Sequence, residues 1–308
     1  MAKLRRILLM AITLLCAVGL TACGKQAKQA EPARHPNQIK VVAATNIYGQ
    51  MAEAVVGKYG KVTSLVNSGV DPHEFEPSIQ AAHQVSDANV IIQNGLGYDD
   101  WMQKLTQNAS SRTTQINVGQ LLHKHNGDNE HLWYNPETAP AVVQRLVKVA
   151  SQLQPEHRQT FEKNGQAYLE RLKPVNELAK TSRSNLQEHD LKRKVDVSEP
   201  VFDEALHAMG YQVNNRDFEN ATEKEVDPSP ATIKAMRRDL TEQRVAFFVD
   251  NTQTDSQTVN QMVKLAEQHH VPVVKVTETI PKGQNYVDCL TKTYQAVLKV
   301  QEQEIEAK

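Results

Sequence analysis

Four side chains with metal-ligating chemistry stand in loops beside predicted secondary structure. His73 lies in residues 69–77 (GVDPHEFEP), directly after a predicted strand at 61–66. His131 lies in residues 129–136 (NEHLWYNP), ahead of a helix beginning near Pro136. Glu199 follows a predicted strand at 195–198, in residues 197–202 (VSEPVF), and Glu278 follows one at 271–276, in residues 277–281 (TETIP). Two prolines and a leading aspartate restrict the His73 loop, and a rigid loop can aim an imidazole. A single loop histidine is more often solvated than ligating, and a loop glutamate is usually surface. Their joint placement carries the weight, because two precede a helical middle segment and two follow it. Ligands of open α/β sheets gather beyond the carboxyl ends of strands. Two imidazoles and two carboxylates are a mixed nitrogen and oxygen set that can hold a divalent cation. Oxygen-rich sites suit manganese or ferrous iron, whereas intrinsic affinity favours zinc over manganese.

The elements that must position these groups alternate along the chain. Strands are predicted at 39–45, 61–66, 89–93 and 114–118, with helices at 48–56, 77–85 and 98–105 between them. The middle is helical, over 136–153 and again from Pro155 to about Gln187. Pro174 falls inside that second run and is expected to kink or divide it. A second set follows, with strands at 195–198, 211–213, 245–249 and 271–276. Its helices start at Ser229-Pro230, with serine as cap and proline in the first turn, and run over 256–268 and 286–301. Alternation of this kind implies parallel sheets covered by helices. The expected fold class is α/β, with a lobe at 39–154, a connector helix region at 155–190 and a lobe at 191–308. No repeat of 20–50 residues is visible.

Composition excludes several classes. The 308 residues are 40% hydrophobic and 23% charged, an ordinary globular balance. Lys plus Arg number 35 against 36 Asp plus Glu, which excludes a strongly basic nucleic-acid binder. Three cysteines exclude a disulfide scaffold. No Walker A, HExxH or GxSxG motif is present. Residues 94–98 (NGLGY) lack the third glycine of a dinucleotide site and are expected to form a tight turn.

The N-terminus carries an address. Lys3, Arg5 and Arg6 precede the apolar run 7–19 (ILLMAITLLCAVG), which is too short for an ordinary spanning helix. Residues 20–23 (LTAC) resemble a bacterial lipobox, with cleavage before Cys23 and acylation of that residue. Residues 1–22 are therefore expected to be a lipoprotein signal peptide, and 23–38 the lipidated cysteine and a polar tether. Removing residues 1–22 takes away three basic and no acidic side chains, which leaves a net charge of −4. Cys289 is then the only cysteine besides the anchor, and is expected to be a small buried residue. The chain is expected to work outside the cytoplasmic membrane while anchored to it by lipid.

The motifs at 71–77 (DPHEFEP), 94–101 (NGLGYDDW), 131–136 (HLWYNP), 198–202 (SEPVF) and 271–279 (VPVVKVTET) together resemble the metal-binding lipoproteins of bacterial ABC importers for zinc and manganese. The resemblance runs in order through nearly all of residues 39–300. It implies two Rossmann-like lobes joined by a long helix, with one metal in the cleft, and His73 and His131 as the first two ligands. It places Glu199 third, where some members have histidine. It places Glu278 fourth, where aspartate is commoner, with Asp250 as the alternative. It implies a monomeric binding protein, not an enzyme, that captures Zn²⁺ or Mn²⁺ and delivers it to a permease with its cytoplasmic ATPase. The site is expected to be closed, with binding drawing the lobes together. His123 and His125, with Asp128 and Glu130, form a polar loop where zinc members often carry a histidine-rich one. Two other readings compete. A surface adhesin with a structural metal would bind its partner regardless of metal. A metal-assisted hydrolase would need an open coordination position and a base such as Glu74 or Glu130.

Overall fold

A computed structural model describes residues 38–308. The expected signal peptide, Cys23 and nearly all of the tether lie outside the described residues. The first sheet contains β1 (Ile39–Thr45), β2 (Gly60–Val66), β3 (Val90–Gln93) and β4 (Thr114–Asn117), in the order β2-β1-β3-β4. The second contains β5 (Lys194–Val197), β6 (Gln212–Val213), β7 (Phe248–Asn251) and β8 (Val273–Val276), in the order β6-β5-β7-β8. Every pairing is parallel. Central strands of such sheets are covered on both faces, so β1 reads IKVVAAT and buries every residue except Lys40. The same strand order occurs twice, a duplication of topology that has no counterpart as a repeat in the sequence.

The first sheet carries α1 (Asn46–Val56), α2 (Ile79–Ser86), α3 (Asp100–Thr106), α4 (Val118–Leu121) and α5 (Thr138–Leu153). The second carries α7 (Asp203–Met209), α8 (Arg216–Glu223), α9 (Pro230–Thr241), α10 (Gln257–Gln268) and α11 (Tyr286–Glu306). Between them runs α6 (Arg158–Glu188), whose 31 residues correspond to about 46 Å at 1.5 Å per residue. Its buried positions recur every three or four residues, from Phe161 and Gly165 through Tyr168, Leu172 and Val175 to Leu186, so one face meets the core. Gly165 packs close to Val147 of α5, whereas Ser182 bonds with Met209 and Gln301 of the second half. One apolar core is thereby continuous from Ile39 to Val300.

Several elements differ from expectation. Pro174 does not divide α6. It stands on the exposed side, where the carbonyl that loses its partner meets water. The strand expected at 245–249 is paired over Phe248–Asn251 instead. Val245 to Phe247 are buried, and the Ala246 N–H and the Phe247 carbonyl already bond to the Lys194 carbonyl and the Asp196 N–H of β5, so this segment leads directly into β7. The short helices α7 and α8 have no counterpart in the sequence-based reading. Cys289 is half-buried, with its thiol donating to Gln284 Oε1 at 3.6 Å. No helix among the described residues is long and apolar enough to cross a membrane.

Candidate metal centre

The carboxyl ends of both sheets face one cluster, and each side chain in it is held by neighbours. The loop after β2 carries His73. Asp71 Oδ1 accepts from the His73 backbone N–H at 2.8 Å, and Trp101 Nε1 donates to the Pro72 carbonyl at 3.0 Å. The segment after α4 carries His131, which is 1% exposed. Asn129 Oδ1 lies 3.0 Å from His131 Nδ1 and also accepts from the His131 N–H at 2.8 Å. A carboxamide oxygen has no proton to give, so Nδ1 carries the hydrogen and Nε2 presents its lone pair to the cluster. Asn129 reaches the second lobe as well, donating to the Pro200 carbonyl at 2.7 Å.

The 94–101 motif supports this arrangement. Gly95 and Gly97 take φ values of +80° and +103°, which glycine alone adopts without strain. The Asp99 carboxylate accepts from the N–H groups of Asn94 and Gly95 at 2.6 and 2.8 Å. The clamped Asn94 side chain donates to the Glu130 carbonyl at 2.9 Å, one residue from His131.

Glu278 enters from the second lobe, just beyond β8. Gln253 Oε1 accepts from the N–H groups of Glu278 and Thr279 at 2.9 and 3.0 Å. Asn251 Nδ2 donates to Glu278 Oε1 at 2.9 Å and to Glu199 Oε2 at 2.6 Å. Tyr134 OH donates to the Thr277 carbonyl at 2.9 Å, and Asn46 exchanges two hydrogen bonds with the Ile280 backbone. These bonds fasten the Glu278 segment to the first lobe.

The result is a convergence of unpartnered atoms. Glu278 Oε2 lies 3.6 Å from His73 Nε2 and 3.9 Å from His131 Nε2. Glu130 Oε1 lies 3.8 Å from His73 Nε2, and Glu223 Oε1 lies 3.7 Å from His131 Nε2. His131 Nε2, Glu278 Oε2 and Glu223 Oε1 are buried and make no hydrogen bond. Buried polar atoms are ordinarily paired, because leaving one bare costs about 1–3 kcal/mol. Donors spaced this way fit a shared cation, since ligands about 2.1 Å from a tetrahedral ion lie about 3.4 Å apart.

Electrostatics reflect the crowding. Burial alone lowers His73, but the carboxylates of Glu278 and then Glu130 outweigh it and raise the imidazole to about 9. His131 is lowered to about 4, chiefly by burial, with Glu278 opposing. Glu223 is raised to about 9 by burial and then by Glu130. Burial raises Glu278, yet the two histidines and Asn251 reverse this and hold it below the ordinary value.

Of the residues singled out from sequence, His73, His131 and Glu278 come together, with candidate ligand atoms all within 4.8 Å of one another. Glu199 faces the same cavity, but its Oε2 is bound by Asn251 and Thr254, and it makes no ion pair with either histidine. Asp250 lies beside Lys275 and Glu267, away from the cluster, because alternation along β7 turns Asn251 inward instead. His125 projects into solvent, with its side chain 88% exposed. Sequence reasoning missed Glu223 altogether and took Glu130 as part of a polar loop or as the base of a hydrolase, not as a metal ligand. Glu223 lies in a short helix with a single large apolar residue, Phe218, while Glu130 is adjacent to His131 and could have been weighed with it.

The cluster opens into a cavity of about 760 Å³ whose walls include Asp71, Glu74, Glu225, Asp227 and Asp255. Such a vestibule concentrates cations at its mouth. Replacing Asn129 by alanine is expected to free the His131 ring and weaken metal affinity about tenfold, the lower end for partners that orient ligands. Calorimetric titration of that variant with Mn²⁺ checks this.

Two parallel α/β sheets with a histidine–carboxylate cluster between their carboxyl ends define a two-lobed solute-binding protein. The chain belongs to the zinc-uptake complex component A (ZnuA) periplasmic family, whose model matches residues 41–300. It is 28% identical to the manganese ABC transporter substrate-binding lipoprotein ScaA of Streptococcus gordonii, over 79% of this chain and 81% of the relative. It is 24% identical to the zinc-binding lipoprotein AdcA of Streptococcus pneumoniae, over 94% of this chain and 60% of that protein. Its fold resembles that of the solute-binding protein FpvC from Pseudomonas aeruginosa, solved in complex with Mn²⁺, with a TM-score of 0.68, 15% identity and coverage of 87% and 99%.

Proposed function

We propose that this protein captures Zn²⁺ or Mn²⁺ outside the cytoplasmic membrane and delivers it to the permease of an ABC importer, which its cytoplasmic ATPase drives. The convergence of buried, unpartnered His131 Nε2 and Glu278 Oε2 with His73 carries this reading. His73, His131 and Glu278 ligate the ion, and Glu199, through Asn251, holds Glu278 in place. The metal is cargo, and the protein performs no catalysis. It acts as a monomer, tied to the bilayer by acyl chains on Cys23. Residues 39–154 and 191–308 form the lobes, and 155–190 the helical connection. Bonds such as Tyr134 to Thr277 and Asn46 to Ile280 bridge the lobes beside the site, so closure on binding is small.

Titration calorimetry on the chelator-stripped protein, with Zn²⁺ and Mn²⁺ separately, tests the proposal. Binding of one ion per chain, tighter than about micromolar, is expected, equivalent to about 8 kcal/mol. Absence of binding to both ions would refute it.

A further inference from the structure

The proposed ligand set leaves out two carboxyl groups, Glu223 and Glu130, which lie within hydrogen-bond reach of each other. Glu223 Oε1 is buried without a hydrogen-bond partner, 3.7 Å from His131 Nε2, and Glu130 Oε1 lies 3.8 Å from His73 Nε2. Ligand atoms of His73, Glu130 and Glu223 lie within 4.8 Å of one another, as do those of His73, His131 and Glu278. The two groups share His73, so they bound one space rather than two. His131 Nε2 and Glu278 Oε2, on side chains 1% and 6% exposed, are unpartnered and face into it.

We infer that Glu223 and Glu130 supply oxygen donors to the bound cation, which makes the centre a cage of two imidazoles and three carboxylates. This inference rests on the function proposed above. Helix α8 is fixed so that Glu223 is presented there. Phe218 is fully buried among Met236, Leu240 and Phe248, and Arg216 pairs with Asp203 at 2.6 Å and Glu219 at 2.9 Å. Glu199, the expected third ligand, accepts from Asn251 and Thr254 through Oε2, as Glu278 does from Asn251 through Oε1, but lies in neither group of converging ligand atoms. Five protein side chains offer more donors than the four that tetrahedral zinc takes in closed sites. Manganese accepts a larger, oxygen-rich shell, so the extra carboxylates favour Mn²⁺ relative to Zn²⁺.

The test uses the full chain in detergent, stripped by chelator and titrated with Mn²⁺ and Zn²⁺ separately. Wild type is compared with Glu223→Gln, Glu223→Ala, Glu199→Ala and His131→Ala. Both Glu223 variants are expected to lose Mn²⁺ affinity at least tenfold and Zn²⁺ affinity less. X-ray absorption at the manganese edge should show fewer light-atom neighbours in Glu223→Ala. Glu223→Gln retains side-chain size, and thermal unfolding of the metal-free variants checks that the fold persists. Unchanged Mn²⁺ affinity in both Glu223 variants, with loss in His131→Ala, would overturn the inference and leave the proposed function standing. Failure of wild type to bind either ion would overturn both.

Discussion

Replacement of His131 by alanine is expected to weaken Zn²⁺ and Mn²⁺ binding at least a hundredfold. The ring is 1% exposed, its Nδ1 is committed to Asn129, and its Nε2 has no partner. A neutral imidazole fixed in that tautomer is already arranged as a ligand and needs neither deprotonation nor rotation. Partners that only orient ligands are worth about 10–100-fold, so loss of the ligand itself is expected to reach or pass the top of that range. His125→Ala is the matching control. Its side chain is 88% exposed beside Asp128, so its removal should leave affinity unchanged. Titration of both variants decides the point, and equal affinities in the two would remove His131 from the ligand set.

The second large effect is on pH dependence. His73 is raised to about 9, with burial opposing and the carboxylates of Glu278 and then Glu130 prevailing. Glu223 is also raised to about 9, by burial and then by Glu130. Both groups hold protons at pH 7 in the metal-free protein, and a cation must displace a proton from His73 to use its nitrogen. Affinity should therefore rise by about tenfold per pH unit for each proton released, between pH 7 and about 9. His131, lowered to about 4, is already neutral and releases none. The stability of the metal-free fold should move the other way. His73 stabilises it fully below its unfolded value of about 6.5, and this is lost as pH rises through 9. Glu223, also raised, contributes in the same direction over a window that begins near 4.5. Titrations in buffers of different ionisation enthalpy measure the protons released, and a pH-independent affinity would contradict this account.

The parallel architecture was legible because β1, β3 and β8 carry apolar runs separated by helix-period segments. His73, His131 and Glu278 were legible because strand-end loops with proline or aromatic neighbours mark them. The apolar run at 245–249 leads into β7 with its first bonds to β5 already made at Ala246 and Phe247, while the paired strand continues to Asn251, past the apolar residues that mark it in sequence. Pro174 is tolerated because it faces solvent, and exposure along a helix is set by tertiary packing. Glu223 was invisible because its helix has one large apolar residue, Phe218, and sits far in sequence from His73. Glu199 stands at the expected strand end, but whether it faces a histidine or Asn251 depends on side-chain competition that spacing does not encode.

The central claim is that one divalent cation sits between His73, His131 and Glu278. The most direct test is a crystal structure of the protein loaded with Mn²⁺, with anomalous differences recorded. A single peak is expected at about 2.0–2.3 Å from His73 Nε2, His131 Nε2 and Glu278 Oε2. A peak elsewhere, or none in crystals grown with saturating Mn²⁺, would contradict the account.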